Sequence, residues 1–476
     1  MSHRASQPHT HLMGVGGIGM SALAQVLLAR GERLSGCDLH ASALTAKLER
    51  LGLAFSEGHH PEHLAGADRL IISDAIGRDH PELAHARAAG LPVLRRSQVV
   101  GELMRCHRGL AVAGTHGKTT TTAMIGLILA EAGRDPTVLI GGELPQFGGN
   151  ARVGGGELLV AEACEAYESF LDLEPEIAVI TNIEAEHLDH HHSERAVLDS
   201  FARFLARVRA GGSVIVCADD ANAAAVVSRA KVAAAGLDVV TYGLGGGGDF
   251  RAEEVRDEGM GMGFTLAHPA GRTAVRLAVP GAHNVADALG AIAACTVVAV
   301  SAEQAAATLA SFGGVERRFQ AVTTAGVTVV NDYAHHPTEI RAVVAAARAR
   351  CGGKLVIVFQ PHLYTRTRDF LADFADALSA AETIVVTDIY AAREQPLPGV
   401  SGETMVEAVR ARGQEDAFFW PQKDQVAEGL VGGLETGDWV LVLGAGDIGS
   451  VARDLAARLR RRGAAPSGPG GTACRA

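Results

Sequence analysis

The chain has 476 residues, of which 47% are hydrophobic and 4% aromatic, and its formal net charge is −11. This length predicts about three domains of ordinary size, and an acidic balance without a basic stripe argues against a nucleic-acid partner. The seven cysteines are scattered without a CxxC pair, so their spacing suggests neither a zinc site nor a disulfide framework. Without an apolar leader or a membrane-length apolar run, we expect a cytoplasmic protein with no membrane partner.

Strand-like apolar runs alternate with helix-length patterns, which predicts an α/β fold with parallel layers. Strands are predicted at 11–13, 69–73, 92–94, 158–161, 177–181, 213–217, 327–331, 354–359, 383–387 and 439–443, with a more β-like stretch at 250–279. We predict three domains and a tail: an N-terminal Rossmann-like domain over 1–107, a central P-loop-type ATPase domain over 108–314, a C-terminal Rossmann-like domain over 315–463, and a disordered segment over 464–476.

The first zone carries a glycine turn, Gly14-Val-Gly-Gly-Ile-Gly19, between a strand and a helix. With Asp38 about 20 residues further on, it is a Rossmann-like fingerprint. The pattern predicts a diphosphate at Gly14, Gly16, Gly17 and Gly19, with Asp38 reaching a sugar or base. Glycines needed only for packing are the alternative, and the turn alone is weak evidence for NAD.

A second glycine turn, Gly114-Thr-His-Gly-Lys-Thr-Thr120, follows an apolar run and precedes a helical pattern over 121–130. Such a turn cradles phosphate with backbone N–H groups, while its lysine bridges the phosphate oxygens and the next hydroxyl ligates Mg²⁺. The turn is shorter than GxxxxGK[ST], because Val112 stands where that pattern has its first glycine. The predicted phosphate-binding residues are Gly114, Thr115, His116, Gly117, Lys118, Thr119 and Thr120.

Two residues after later strands are predicted to hold metal ions together with Thr119. Glu162 follows the strand at 158–161, where a carboxylate can hold the ion that bridges ATP phosphates. His187 follows the strand at 177–181, and a neutral imidazole there can hold a second ion. The neighbouring His190, His191 and His192 are expected to be a solvated surface cluster.

Further polar groups cluster after predicted strands. Asn284 opens a small-residue helix, where it is either an N-cap or a reader of an adenine edge. The segment 314–319 places two arginines at a predicted hinge, where a guanidinium can clamp phosphate. The segments 331–337 and 359–368 both follow third-zone strands, and their many polar and cationic groups predict a site for an anionic substrate.

These motifs together resemble the Mur ligase family of ATP-dependent amide-forming enzymes, over about residues 11–459. The distinctive segments are Asn331-Asp-Tyr-Ala-His-His-Pro-Thr338, Phe359-Gln-Pro-His-Leu-Tyr-Thr-Arg366 and Gly444-Ala-Gly-Asp-Ile-Gly449. No lysine occurs between Lys118 and Lys231. Later-acting members of the family carry a carbamylated lysine in this region, so its absence resembles the alanine-adding member. Two departures are the segment 162–167, where many relatives read EADESD, and Asp287, where the usual pattern has asparagine.

The resemblance implies that ATP, with Mg²⁺, drives amide formation between L-alanine and the lactyl carboxylate of UDP-N-acetylmuramate through an acyl phosphate. The products are UDP-N-acetylmuramoyl-L-alanine, ADP and phosphate, as in peptidoglycan precursor synthesis. UDP is expected on the first domain, ATP on the second and alanine near the third, in a monomer or weak homodimer. The implied catalytic residues are Lys118, Glu162, His187, His336 and Arg366; Asn284, Arg318 and Asp332 are assigned to ATP, and His336, His362 and Arg366 to substrate.

Two alternatives stay open at this point. A related amide ligase of the same fold would add another amino acid or a peptide to its acceptor. A dinucleotide-linked oxidoreductase, built on the first glycine turn, would bind NAD(P)H and leave the second turn idle.

Overall fold

The structure is a computed structural model that describes residues 8–73, 76–77, 79–184, 191, 193–230, 232, 235–392 and 394–464. It contains three successive α/β regions, each built on its own sheet, which confirms the predicted fold class. The chain divides into two compact units, the first ending at Val315 and the second starting at Glu316. The predicted domain boundaries at 107/108, 314/315 and 463/464 stay predictions.

The first region is a parallel five-stranded sheet in the order β3-β2-β1-β4-β5. This order matches five strands of the Rossmann arrangement, as the glycine turn predicted. Its strands are β1 (His9–Met13), β2 (Arg33–Asp38), β3 (Ala54–Glu57), β4 (Arg69–Ile72) and β5 (Val93–Arg95), and its helices are α1 (Ile18–Ala29), α2 (Ala43–Arg50), α3 (Pro81–Ala88) and α4 (Arg96–Arg105), with a 3₁₀ turn at Pro61–Leu64.

The second region is a ten-stranded sheet in the order β15-β14-β13-β12-β11-β10-β6-β9-β7-β8. The strand that precedes the second glycine turn, β6, lies between β9 and β10. The strands are β6 (Arg108–Ala113), β7 (Thr137–Leu144), β8 (Gly149–Arg152), β9 (Leu158–Glu162), β10 (Ile177–Ile180), β11 (Ser213–Cys217), β12 (Asp238–Gly243), β13 (Phe250–Glu258), β14 (Gly261–His268) and β15 (Gly271–Leu277). The last three form an antiparallel meander, which confirms the β-like stretch.

The helices of the second region are α5 (Lys118–Glu131), α6 (Glu194–Leu205), α7 (Ala221–Arg229), α8 (Ala282–Val297) and α9 (Ala302–Leu309), with 3₁₀ turns at Pro145–Phe147 and Ala166–Asp172. Helix α5 begins at Lys118, three residues earlier than the apolar pattern indicated. The threonines at 119–122 are all buried, so this first turn is part of the packed helix.

The first two regions are joined by a common apolar core and by one buried amide. Leu12, Leu23 and Ala111 belong to the same cluster of buried side chains. Asn150 donates to the carbonyl of Ile18 at 2.5 Å, and Gln25 donates to the Asn150 carbonyl oxygen at 2.9 Å. Buried polar groups whose hydrogen bonds are all made favour a single geometry. The contacts of Asn150 therefore fix how the first two sheets pack within the first unit.

The second unit is a six-stranded sheet in the order β16-β17-β21-β18-β19-β20, with only the β16–β17 pair antiparallel. Its strands are β16 (Gln320–Thr324), β17 (Val327–Asp332), β18 (Leu355–Phe359), β19 (Thr383–Val386), β20 (Ala417–Phe419) and β21 (Trp439–Leu443), and its helices are α10 (Pro337–Arg348), α11 (Tyr364–Asp369), α12 (Leu371–Leu378), α13 (Gly402–Arg410), α14 (Lys423–Val431) and α15 (Gly449–Ala464).

Among the helices in the described ranges, none combines the length and the hydropathy needed to cross a bilayer. The predicted tail lies outside the described residues beyond Ala464.

Candidate functional site

The second glycine turn lies at the centre of the ten-stranded sheet, where three parallel strands end side by side. The turn follows β6, Glu162 ends the neighbouring β9, and Thr181 and Asn182 follow β10 on the other side. Carboxyl ends of parallel strands are where open α/β sheets bind their ligands. Motifs up to 68 residues apart therefore come together at one edge.

Two glycines of this turn have no room for a side chain. Gly117, the N-cap of α5, has φ +81°, and a Cβ there would lie 2.3 Å from Asp287 Oδ1. A Cβ on Gly114, whose φ is +139°, would lie 2.0 Å from Thr181 Oγ1. Glycine is the residue for a left-handed conformation under close approach. The first backbone N–H groups of α5 have no acceptor within the helix, as at any helix N-terminus, and suit a ligand anion.

Lys118 folds back over the turn. Its ammonium donates to the carbonyls of Gly114 at 2.5 Å and Thr115 at 3.0 Å, and to Glu165 at 2.9 Å. Glu165 is buried, and a buried carboxylate is retained only with a charged or hydrogen-bonding partner. This ion pair holds the lysine at the turn, and sequence reasoning missed it because nothing in the spacing links residues 118 and 165.

The predicted metal ligands Thr119 and Glu162 are in contact. The Thr119 hydroxyl donates to Glu162 Oε2 at 3.2 Å, and Glu162 Oε1 accepts the N–H of Gly141 at 2.5 Å. The Gly141 N–H orients the carboxylate towards the start of α5. Hydroxyl and carboxylate oxygens are hard donors of the kind that Mg²⁺ prefers, so this pair fits the predicted ion.

A segment after β10 supports the turn from the other side. The N–H groups of Thr115 and His116 donate to the Asn182 carbonyl and side-chain oxygens, both at 2.9 Å, and the Thr181 hydroxyl donates to the His116 carbonyl at 2.6 Å. His116 Nε2 lies 3.3 Å from a Glu184 carboxylate oxygen. Glu184 is the last described residue before the segment 185–190. The predicted metal ligand His187 therefore lies outside the described residues, as do His190 and His192.

His191 is buried, so the expectation that it lies on a solvated surface is wrong. Asn284 is also not an N-cap: Gly281 is the N-cap of α8, and the Asn284 amide donates to the Pro280 carbonyl at 2.6 Å. Asp287, the departure from the family pattern, accepts from the Thr121 hydroxyl at 3.2 Å. It therefore ties α8 to α5 directly below the glycine turn.

The first glycine turn joins β1 to α1, with Gly17 as the N-cap of that helix. Asp38 accepts the N–H of Gly16 at 2.8 Å, which places the predicted sugar-binding carboxylate against the turn. A Cβ on Gly19 would lie 3.2 Å from the Arg96 guanidinium. Arg96 is a cation beside the predicted diphosphate site that sequence analysis did not single out, although it directly follows β5.

In the second unit, the three distinctive segments follow β17, β18 and β21, which are adjacent strands with β21 in the middle. The adjacency brings 333–337, 360–366 and 444–449 to one edge of that sheet. Gln360 and Lys423 both contact the Asp447 carboxylate, at 2.9 and 2.5 Å. This strand order is compatible with the prediction that the segments 331–337 and 359–368 face one anionic substrate.

The two arginines at 317 and 318 have different surroundings. Arg317 is largely buried and donates to the carbonyls of Gly444 at 2.6 Å and Gly446 at 2.9 Å, and burial lowers its pKa. Its guanidinium thereby ties the segment before β16 to the loop after β21. Arg318 lies 5.1 Å from the ring centroid of Tyr333 and 3.9 Å from Glu339, and it is the arginine of the pair predicted to bind ATP.

Asp332 is buried at the end of β17 and accepts the N–H groups of Phe319 at 2.6 Å and Ala334 at 2.7 Å. Burial raises the pKa of this carboxyl above its usual value. Both oxygens thus hold turns of the backbone, and a contact with ATP stays a prediction.

The remaining predicted residues lie at the same edge. His336 is the N-cap of α10, its ring accepts the N–H of Thr338, and it packs edge-on against Phe370. His362 Nδ1 lies 3.2 Å from an Arg366 guanidinium nitrogen, and the His362 ring stacks on Tyr390. Arg366 is a buried cation in α11. Two imidazoles and a guanidinium thus suit this edge to a carboxylate ligand.

Three family models match successive parts of the chain. They are the Mur ligase family catalytic domain at residues 9–108, the Mur ligase middle domain at 112–295 and the Mur ligase glutamate ligase domain at 317–446. Together they cover each of the three sheets, including both glycine turns.

Full-length relatives agree. The chain is 44% identical over 453 residues to a UDP-N-acetylmuramate–L-alanine ligase from Geotalea daltonii, covering 94% of this chain and 98% of the relative. It is also 44% identical over 457 residues to the ligase of the same name from Xanthomonas campestris pv. campestris, covering 94% and 95%.

A crystal structure of UDP-N-acetylmuramate-alanine ligase from Thermotoga maritima superposes with a TM-score of 0.81 at 27% identity, covering 95% of this chain and 99% of that one. A murein peptide ligase from Psychrobacter arcticus, at 23% identity and a TM-score of 0.71, shares the fold. One explanation accounts for the two glycine turns, the three sheets and these matches: the chain belongs to the Mur ligase family.

Proposed function

We propose that this Mur ligase, an ATP-dependent ligase by family, joins L-alanine to the lactyl carboxylate of UDP-N-acetylmuramate. The observation that carries the proposal is 44% identity, over nearly the whole length, to relatives that bear this activity in their names. The geometry is compatible with it, because both glycine turns lead into a helix N-terminus, which suits the central turn to phosphate and the first turn to a second nucleotide. The oxidoreductase alternative leaves the Lys118 turn without a purpose and is not favoured.

Lys118, together with the α5 N-terminus, is proposed to bind the ATP phosphates. The reaction brings a carboxylate towards a polyphosphate, so cations and N–H groups must offset repulsion between anions. Thr119 and Glu162 would hold Mg²⁺, which supplies further neutralisation of the phosphate charge when bound. Glu165 keeps the lysine ammonium at the turn, and Gly141 keeps the Glu162 carboxylate directed towards it. A second ion on His187 remains part of the proposal.

The chemistry balances as two substitutions. A lactyl carboxylate oxygen attacks the γ-phosphorus, the bond to ADP breaks, and an acyl phosphate forms. The alanine amine then attacks the acyl carbon, phosphate leaves with that oxygen, and the nitrogen loses a proton. Arg366, His336 and His362 are proposed to handle the alanine, since a guanidinium and imidazoles suit its carboxylate. Asn284 and Arg318 are proposed to contact the nucleotide.

The test is phosphate release by the full chain with ATP, Mg²⁺ and UDP-N-acetylmuramate, with alanine, serine, glycine and glutamate offered in turn. We expect the highest kcat/KM with alanine and formation of the alanyl product by mass spectrometry. Phosphate release that does not depend on alanine, or a higher kcat/KM with serine, glycine or glutamate than with alanine, would overturn the assignment.

A further inference from the structure

A buried cluster of metal-ligating side chains lies beneath the first glycine turn, apart from the groups assigned to the ligase reaction. Its members come from separate elements: His11 from β1, Cys37 from the end of β2, His59 after β3 and Glu82 from α3. His11, Cys37 and Glu82 are at most 1% exposed. The spacing of cysteines did not reveal it, because only one cysteine takes part.

The donor atoms are spaced as one ion would require. His11 Nε2 lies 3.4 Å from Cys37 Sγ and 3.3 Å from Glu82 Oε1, and the sulfur lies 3.5 Å from the same oxygen. Tetrahedral zinc with bonds of about 2.0–2.3 Å sets its ligand atoms roughly 3.3–3.8 Å apart. Three donors therefore already form a face of such a tetrahedron.

His59 lies beside the three donors, on the side of Cys37 and Glu82. Its Nδ1 lies 3.2 Å from Cys37 Sγ and 3.3 Å from Glu82 Oε2. The sulfur is thus approached by two imidazoles and by both oxygens of a carboxylate. A thiol donates only one weak hydrogen bond, so hydrogen bonds account for only some of these short contacts. A cation at the centre would account for them as contacts between ligand atoms of one ion.

The surroundings of His11 resemble those of a metal-bound histidine. Its Nδ1 lies 2.8 Å from Ser35 Oγ, and that hydroxyl also lies 2.8 Å from His9 Nε2. In metal sites the second ring nitrogen commonly makes such a contact, which fixes the ring and directs the other nitrogen at the ion. In addition, His63 Nδ1 is buried without a hydrogen-bond partner among the described residues and lies 3.9 Å from Glu82 Oε1.

We propose that His11, Cys37 and Glu82 bind one divalent ion of the zinc class. The ion would be structural, because the three main donors are buried. It would brace the first glycine turn, since the Cys37 carbonyl accepts the N–H groups of Gly14 at 2.8 Å and Val15 at 3.0 Å. The next residue, Asp38, holds Gly16. The site is independent of which amino acid the ligase adds.

The direct test is X-ray absorption of the full chain, stripped with a chelator, reloaded with one equivalent of Zn²⁺ and freed of weakly held ions. We expect one sulfur at about 2.3 Å together with nitrogen and oxygen donors at about 2.0–2.2 Å. A shell of oxygen and nitrogen alone would overturn the proposal, because it would place the zinc elsewhere, for instance at Thr119 and Glu162. This readout needs no variant and no activity.

Paired variants locate the sulfur. Cys37→Ala should lower Zn²⁺ affinity at least 100-fold and abolish the sulfur-to-metal charge-transfer band of the Co²⁺ form. Cys295→Ala, at an equally buried thiol without an acidic or histidine partner, should leave both unchanged. Equal affinity in the two variants contradicts the proposal. If Cys37→Ala fails to fold, the Co²⁺ forms of the other two variants test the proposal. The charge-transfer band should be kept in Cys295→Ala and lost in His11→Gln, and a band kept in His11→Gln would contradict the proposal.

Discussion

The two glycine turns of the first unit share a backbone plan but differ in what surrounds them. Both join a parallel strand to the N-terminus of a helix, at Gly14–Gly19 and at Gly114–Lys118. The turn at 114 carries a lysine paired with buried Glu165, and a hydroxyl in contact with Glu162. The turn at 14 has no lysine of its own, and Asp38 and a His/Cys/Glu cluster lie next to and beneath it.

The strand–turn–helix unit thus provides an anion site, while neighbouring strands decide its chemistry. Around Lys118 the neighbours β9 and β10 supply groups suited to a metal–polyphosphate. Around Gly16 the neighbour β2 supplies a carboxylate suited to a hydroxyl donor, and the guanidinium of Arg96 lies near Gly19. Breaking each turn separately should therefore affect different substrates.

The largest effect is expected from Lys118→Ala. Loss of a positioned cation at a transferring phosphoryl group should lower phosphate release at least about 10²–10³-fold, while the UDP-substrate still binds with its original Kd by calorimetry. Lys47→Ala, which removes only a lysine contact to the Gly148 carbonyl, should leave the rate unchanged. Loss of both phosphate release and UDP-substrate binding would show that the two turns do not act separately.

Gly117→Ala is expected to follow, because its Cβ would meet Asp287 Oδ1 at 2.3 Å. A displaced turn should cost roughly 10²-fold in kcat/KM for ATP. Gly133→Ala, beyond the other end of the same helix, is the matched control: its φ is +72° but nothing lies within 4 Å of the added carbon. Both variants should lose about 1–2 kcal/mol of unfolding free energy to backbone strain, and only Gly117→Ala should lose ATP affinity. Equal loss of ATP affinity in the two variants would show that the close approach of Asp287 to residue 117 does not matter for ATP binding.

Glu162→Gln should raise the Mg²⁺ concentration for half-maximal activity by about 10–100-fold, since one anionic oxygen donor beside Thr119 is lost. Saturating Mg²⁺ should recover most of the rate. An unchanged Mg²⁺ titration would mean that the Thr119–Glu162 contact is not the ion's binding site.

The smallest effect is expected from Asp38→Ala, which removes the acceptor of the Gly16 N–H. Losing a charged hydrogen bond worth about 1.5–3 kcal/mol should raise the KM for the UDP-substrate about tenfold or more, with the KM for ATP unchanged. A parallel rise in the KM for ATP would break the separation between the two turns.

Much of the fold was predictable, because buried parallel strands such as 213–217 and 439–443 read as short apolar runs between turn signals. The start of α5 was placed three residues late, since Lys118 and the buried threonines at 119–122 are polar by type. Their burial depends on packing against α8 and the sheet, which periodicity alone does not contain.

The site was predictable where a motif is local and missed where it is assembled across the sheet. The turn residues at 114–120 are contiguous, and Glu162 was identifiable as the residue ending a strand. The Lys118–Glu165 pair and the Asn182 support join residues 47 and 66 positions apart. The His11, Cys37 and Glu82 cluster was invisible for the same reason: the pairing of β1 with β2 brings His11 and Cys37 together, and Glu82 comes from helix α3.

The most direct test of the ligase account follows an oxygen atom. UDP-N-acetylmuramate labelled with ¹⁸O in its lactyl carboxylate is incubated with the full chain, ATP, Mg²⁺ and L-alanine, and the released phosphate is examined by mass spectrometry. An acyl phosphate predicts one ¹⁸O in each phosphate and one alanyl product per phosphate. Unlabelled phosphate, or phosphate released without the amide, would contradict the account.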